Sequence, residues 1–295
     1  MEPHSSPLRP LLERLESLAA LDAPGQAIGA KVRGLLSPGA LKDALSGTWL
    51  GHALHPLLTD VVIGSWVSAS LLDLLGGDDD GTAARRLIAV GIAAHPPTAL
   101  TGLSDWSDSE PADERVRRIG LIHAATNAAA LGLYAASLAA RRRGDHGRGK
   151  LLGLAGGATL GAGGYLGAHM SFAQGVGPNQ TAFDEGPADW TGAGAAADLP
   201  AGQPTRVVVD ETPVLLLRRG ETIHALHDRC SHRGCSLSAQ GEVSGDGDTI
   251  TCQCHGSQFA LRDGALRRGP ATTDQPAYEV RQSGGQVQVR LPPRG

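Results

Sequence analysis

Cys230-Ser231-His232-Arg233-Gly234-Cys235 and Cys252-Gln253-Cys254-His255-Gly256-Ser257 hold all four cysteines of this 295-residue chain. Read as ligand pairs, they give C-x-H followed by C-x-x-H. Two thiolates and two imidazoles on short loops are what a [2Fe–2S] centre needs when two Cys hold one iron and two His the other, and imidazole in place of thiolate raises the reduction potential. A structural zinc site also takes Cys and His. Zinc motifs usually pair cysteine with cysteine and histidine with histidine, whereas each pair here mixes the two. A reading in which the four cysteines form only disulfides leaves the paired histidines unexplained.

On these residues the stretch from about Leu199 to the C-terminus resembles a Rieske domain, and within that family the cytochrome bc-type branch. The resemblance implies that Cys230, His232, Cys252 and His255 bind the cluster. It implies a disulfide between Cys235 and Cys254, a feature of that branch which simple ferredoxins and ring-hydroxylating oxygenases usually lack. It also implies that the Ser257 hydroxyl bonds a bridging sulfide and that Gly269-Pro270-Ala271 is the proline loop over the cluster. Phe259 departs from the pattern. High-potential members carry Tyr there, and hydrogen bonds to cluster sulfur raise the potential, so a lower potential is expected here.

The other half of the chain is apolar. Between Thr48 and Ser171 lie WLGHALHPLLTDVVIGSWVSASLLDLLGG, LIAVGIAAHPPTALTGL, IGLIHAATNAAALGLYAASLAA and LLGLAGGATLGAGGYLGAHM. Each is about the length that crosses a bilayer as a helix. Charged breaks separate them: Asp78 to Asp80, Asp108 to Arg118, and Arg141 to Lys150. Gly153, Gly157, Gly161 and Gly164 suit close packing of membrane helices. The competing interpretation is a soluble bundle of Ala- and Gly-rich helices. Pro96-Pro97 and marginal hydrophobicity make the second stretch the weakest span. The expected fold is therefore multidomain: an all-α four-helix transmembrane bundle, then a small all-β Rieske domain. The expected boundaries are 1–47 for an amphipathic arm, 48–173 for the membrane domain, 174–198 for a Gly/Pro/Ala-rich linker, and 199–295 for the Rieske domain.

In the arm, Leu8, Leu11, Leu12, Leu15 and Leu18 give one apolar helical face. It is too charged for a signal peptide and would lie on the membrane surface, pack on the bundle or stand in solvent. The C-terminal part changes period. TRVVVD, TPVLLLRRG, ETIHALHD, DTITCQC, YEVRQ and QVQVRLP are short β-like runs between turn residues, with a hairpin at Ser283-Gly284-Gly285.

Four spans put the arm, the loop between the second and third spans and the Rieske domain on one side. The loop holding Arg141, Arg142, Arg143, Arg148 and Lys150 falls on the other, which the positive-inside rule makes cytoplasmic. The Rieske domain is then expected outside, where a disulfide persists. Arg115, Arg117 and Arg118 argue the opposite way. Arg141-Arg142-Arg143 matches a twin-arginine export signal only weakly.

Antiparallel threading brings His52, His55, His123 and His169 to similar depth, on the Rieske side. They could ligate haem b between helices, serve a proton or quinone site, or be interfacial residues bonded to loops and lipid headgroups. Asp60, Asp73 and Asp105 divide in the same way between proton carriers and helix-end or interhelical partners. GHALHPLLTDV, TGLSDW and GGYLGAHMSF resemble an uncharacterised bacterial four-helix membrane family sometimes fused to Rieske domains.

These features predict an integral membrane iron–sulfur protein for one-electron transfer, taking electrons from quinol or haem to a redox partner protein. The alternatives are a membrane-tethered ferredoxin serving an oxygenase or other enzyme, and a redox sensor. A complete oxygenase is not expected, since such enzymes need a second domain with a mononuclear iron site. A net charge of −4 gives no general affinity for nucleic acid, and no Gly-rich nucleotide loop is present.

Overall fold

A computed structural model of the protein describes residues 7–77 and 80–292. Asp78 and Asp79 of the first charged break lie outside the described residues. The chain divides into two compact units. One comprises the chain up to Leu35 together with Leu54–Val176, and the other comprises Leu36–Ala53 together with the chain from Gly177 onward. Residues 36–53, spread across the expected arm and membrane domain, are thus grouped with the β domain.

The helical unit holds α1 (Arg9–Glu16) and α2 (Asp22–Leu35), and four long helices follow. These are α4 (Leu54–Leu75), α5 (Gly81–Ser109), α6 (Glu114–Arg142) and α7 (His146–Phe172), the short α3 (Ala40–Ser46) belonging to the other unit. Among the described residues, α4, α5 and α6 are long and apolar enough to cross a membrane. The expected fourth span is present as a long helix, but the many glycines of α7 dilute its hydropathy. Asp113 caps α6 by accepting from the Arg115 N–H, and Arg141 and Arg142 occupy its last turn, where cations complement the helix dipole. Helix α5 runs through Pro96 and Pro97. The stretch beyond them is tied to α4 by His55, whose Nδ1 donates to the Thr98 carbonyl at 3.0 Å.

Trp66 sets the spacing of the bundle. It is fully buried and stacks on Tyr134 with ring centroids 4.3 Å apart, and its indole N–H donates to the Ile88 carbonyl at 3.2 Å. A Cβ at Gly91 would lie 2.2 Å from that indole nitrogen, so α5 approaches only because residue 91 has no side chain. The glycine stripe of α7 acts selectively. Gly153 faces the Asp73–Arg141 pair and Gly157 faces Ser70, whereas Gly161 and Gly164 face open space; Gly156, Gly163 and Gly167 make the other close approaches, to Tyr134, Asn127 and His123. Asp73 is bonded to Arg141, both buried, which makes it an interhelical partner. The arm packs on the bundle: Arg118 donates to Asp22 Oδ2 at 2.6 Å, and Arg117 and Arg33 converge on the buried Glu110 at 2.7 and 2.6 Å.

The β unit contains three antiparallel sheets. β1 (Thr191–Ala195), β10 (Gln286–Arg290) and β9 (Glu279–Ser283) form the first. β2 (Thr205–Val209), β3 (Thr212–Arg219) and β4 (Thr222–His227) form the second. β5 (Gly241–Val243), β6 (Thr249–Cys252), β7 (Gln258–Ala260) and β8 (Leu266–Arg268) form the third, and a one-turn α8 (Leu237–Gln240) precedes it. The run VLLL of β3 explains the stacking. Side chains alternate across a strand, so Val214 and Leu216 enter one core with Val209, Ile223, Val287 and Val289. Leu215 and Leu217 enter a second core with Leu226, Leu237, Ile250, Phe259, Cys230 and Cys252. The middle sheet is therefore buried on both faces, and the second core carries the two cysteines.

Candidate metal centre

The loop after β4 and the loop after β6 are built alike. Cys230 N–H donates to the Cys235 carbonyl at 2.8 Å and Gly234 N–H to the Cys230 carbonyl at 2.9 Å. Cys252 N–H donates to the Ser257 carbonyl and Gly256 N–H to the Cys252 carbonyl, both at 2.8 Å. Each loop thus closes over six residues, with glycine in the left-handed region at the fifth, φ +76° at Gly234 and +88° at Gly256, where a side chain would be strained. The N–H groups two and three residues on turn inward to each first cysteine: His232 and Arg233 to Cys230, Cys254 and His255 to Cys252. Such paired amides favour a thiolate.

The four candidate ligands meet in two pairs, sulfur with sulfur and imidazole with imidazole. The Cys230 and Cys252 thiols lie within hydrogen-bond reach of one another, and this pairing together with burial pushes the Cys230 thiol up. The His232 and His255 rings lie edge to face with centroids 5.0 Å apart. Sulfur pair and nitrogen pair come one from each loop, and this donor set fits a binuclear cluster held by two Cys and two His. Cys235 and Cys254 form a disulfide, with Cα atoms 6.7 Å apart. Its sulfurs lie within 4.8 Å of the Cys252 sulfur, so the bridge pins one loop to the other beside a candidate ligand. Ser257, fully buried, accepts from the Ala271 N–H at 3.0 Å. That bond joins the second loop to Gly269-Pro270-Ala271 and leaves the hydroxyl proton available to an acceptor. Phe259 is fully buried in the second core.

Sequence reading missed the groups that hold these loops. Gln275 accepts from the Ser231 N–H at 2.9 Å and donates to the carbonyls of His227 and Arg229 at 2.7 and 2.6 Å. Asp228 accepts from Ser236 Oγ and Ser238 N–H, both at 2.7 Å. His227 Nδ1 accepts from the Arg229 N–H at 3.0 Å, which leaves the proton on Nε2, 3.2 Å from Asp184. Burial pushes the His227 pKa down while Asp184 opposes the shift. No spacing rule links positions 184, 227 and 275.

Three of the four membrane histidines have helix-packing or arm partners. His52 belongs to the unit of the β domain and the other three to the helical unit. His55 bonds Thr98, His123 Nδ1 donates to the Gly163 carbonyl at 2.8 Å, and His169 Nε2 lies 2.9 Å from Glu16. These are interhelical and arm contacts, and nothing in them supports a haem. Despite partial burial, His169 and Gln174 hold Glu16 below its ordinary value.

Residues 51–180 match the family described as "Predicted membrane protein (DUF2231)", and residues 189–279 match the family described as "Rieske [2Fe-2S] domain". The 3-phenylpropionate/cinnamic acid dioxygenase ferredoxin subunit of Escherichia coli (strain K12) is 36% identical over 97 residues, which is 32% of this chain and 88% of that protein. Its counterpart in Shigella boydii serotype 4 (strain Sb227) is 35% identical over the same shares. Among solved structures, the ferredoxin of carbazole 1,9a-dioxygenase from Nocardioides aromaticivorans IC177 matches at 27% identity and TM-score 0.33, over 35% of this chain and 99% of that one. Identity above one residue in three, sustained along 88% of a relative, places this chain in the Rieske [2Fe–2S] family.

Proposed function

We propose that the protein is a membrane-tethered Rieske ferredoxin, a one-electron carrier that supplies an oxygenase or another partner enzyme. The observation that carries this reading is the match to oxygenase ferredoxin subunits along nearly their full length. A cluster held at these loops would supply reversible one-electron chemistry. Cys230 and Cys252 would hold one iron in the second core, and His232 and His255 the other. The inward amides at positions 232, 233, 254 and 255 would stabilise sulfur charge, and Ser257 would donate to a sulfide. Quinol or haem as electron source, expected from the sequence, has weaker support, because the relatives are ferredoxins and the membrane histidines are engaged in helix packing.

The disulfide is the trait of the bc-type branch on an otherwise ferredoxin-like domain. It favours an extracytoplasmic β domain, as does the basic end of α6. The opposing charges, Arg117 and Arg118, are paired with Glu110 and Asp22 and so weigh less. The partner enzyme would then meet the domain on that face. Residues 48–173 would remain the membrane anchor and 174–198 the linker, with the first part of the anchor, up to residue 53, associated with the β unit.

The test is EPR of the dithionite-reduced, detergent-solubilised full chain, followed by stopped-flow oxidation by a purified terminal oxygenase. A Rieske spectrum and transfer of one electron per chain are expected. Stoichiometric zinc without iron would overturn the ligand assignment. Reduction by ubiquinol, with no transfer to any oxygenase, would return the function to the quinol reading.

A further inference from the structure

The Rieske family match begins at residue 189, yet a segment far upstream touches the candidate cluster loops. Residues 36–53 belong to the same compact unit as the β domain, and they seat helix α3 and the turn after it on three pieces of the loop end. The Thr48 hydroxyl donates to the Ala271 carbonyl at 3.1 Å; the N–H of the same residue donates to Ser257. A Cβ at Gly269 would lie 2.0 Å from Thr48 Oγ1 and 3.0 Å from Asp43 Oδ1. A Cβ at Gly256, next to His255, would lie 2.5 Å from the Pro38 ring. Contacts this close need glycine at both places.

The orientation of α3 is the second observation. Its buried residues are Lys42 and Ser46, one turn apart, while its Leu41 is 59% exposed and Trp49, in the turn after it, 69%. A short helix placed by the hydrophobic effect would do the reverse. Asp43 of α3 accepts from the Gly269 N–H and Thr48 bonds the Ala271 carbonyl, and Lys42 lies close enough to interact electrostatically with His232.

We propose that residues 36–53 form a built-in cap over the imidazole edge of the cluster loops, so that a protein-sized redox partner reaches His232 and His255 only after the cap lifts. This rests on the ligand assignment above. In a ferredoxin without such a segment the edge is open to any colliding partner. Here the cap competes with docking, and only a partner able to displace it exchanges electrons quickly. The bonds that hold it are few and polar, as a reversible closure requires.

The test uses the full chain in detergent, as wild type and as a variant carrying Pro38→Gly and Thr48→Val. Cytochrome c serves as protein-sized oxidant and ferricyanide as small one, and hydrogen exchange of residues 266–272 is followed by mass spectrometry. Losing one hydrogen bond and a packed ring should raise the open population about tenfold. Oxidation by cytochrome c should accelerate by a similar factor relative to ferricyanide, and the 266–272 segment should exchange faster. An intact EPR signal with unchanged relative rates and unchanged exchange would overturn the cap while leaving the ferredoxin reading standing. Absence of a Rieske signal in the wild type would remove that reading, and the exchange measurement would still decide whether the cap exists. If the double variant does not fold, Thr48→Val alone is read in the same way, with a smaller expected factor.

Discussion

Joint replacement of Cys235 and Cys254 by serine tests how much the loops owe to the covalent link. The bridge joins residues 19 apart. Closing a loop of that length removes about 3 kcal/mol of chain entropy from the open state, or about two orders of magnitude in the open-to-closed ratio. The folded loops do not need the bridge for their shape. Each is closed by its own pair of backbone bonds, from Cys230 and Gly234 in one and from Cys252 and Gly256 in the other. The double variant should therefore assemble its cluster with an unaltered EPR spectrum and lose it more easily. Urea titration followed by visible absorbance is the assay, and the midpoint should fall by about 1–2 M. A midpoint within roughly 0.3 M of wild type would show that the open state is already restricted without the bridge, and the entropic argument would fail.

Gln275→Leu leaves the Ser231 N–H and the carbonyls of His227 and Arg229 without their partner; a loss of about 1–3 kcal/mol should appear as earlier cluster loss in urea. Phe259→Tyr should raise the midpoint potential if the phenol reaches a cluster sulfur, and potentiometry showing no change or a fall would mean that the buried ring points elsewhere. Arg141→Met strands Asp73 in the bundle and should cost about 3–5 kcal/mol, read as thermal unfolding in detergent, with Arg141→Met/Asp73→Leu recovering much of it. Arg118 holds the Asp22 carboxyl below its ordinary 3.8. Because the folded-state value is depressed, the tie of α2 to α6 is complete above 3.8 and is lost as pH falls through the lowered value. A spin label at Gln26 should therefore gain mobility only in that acid range, and mobility already high at neutral pH would refute the tie.

The parts of this molecule that local pattern controls were legible in the sequence, and the parts that join distant segments were not. Cys and His spacing located the loops because ligation demands fixed residue types within a few positions. The VLLL run marked a strand, although only the fold showed that it serves two cores at once. Apolar length found the membrane helices, while the glycines of α7 had to be sorted by what faces them: Gly153 and Gly157 are crowded and Gly161 is not. The support of the loops depended on partners more than forty residues apart in sequence, such as Gln275 with His227 and His227 with Asp184, for which no period exists. Residues 36–53 mark the limit most sharply. Hydrophobic patterning assumes that apolar residues face the interior, and by that rule Leu41 of α3 and Trp49 of the turn after it should have been buried. The segment is instead held by Thr48 and Asp43, which bond the Ala271 carbonyl and the Gly269 N–H more than two hundred residues away. A polar seat with little apolar burial adds little stability for its size, which fits the access role proposed for this segment better than a role in folding.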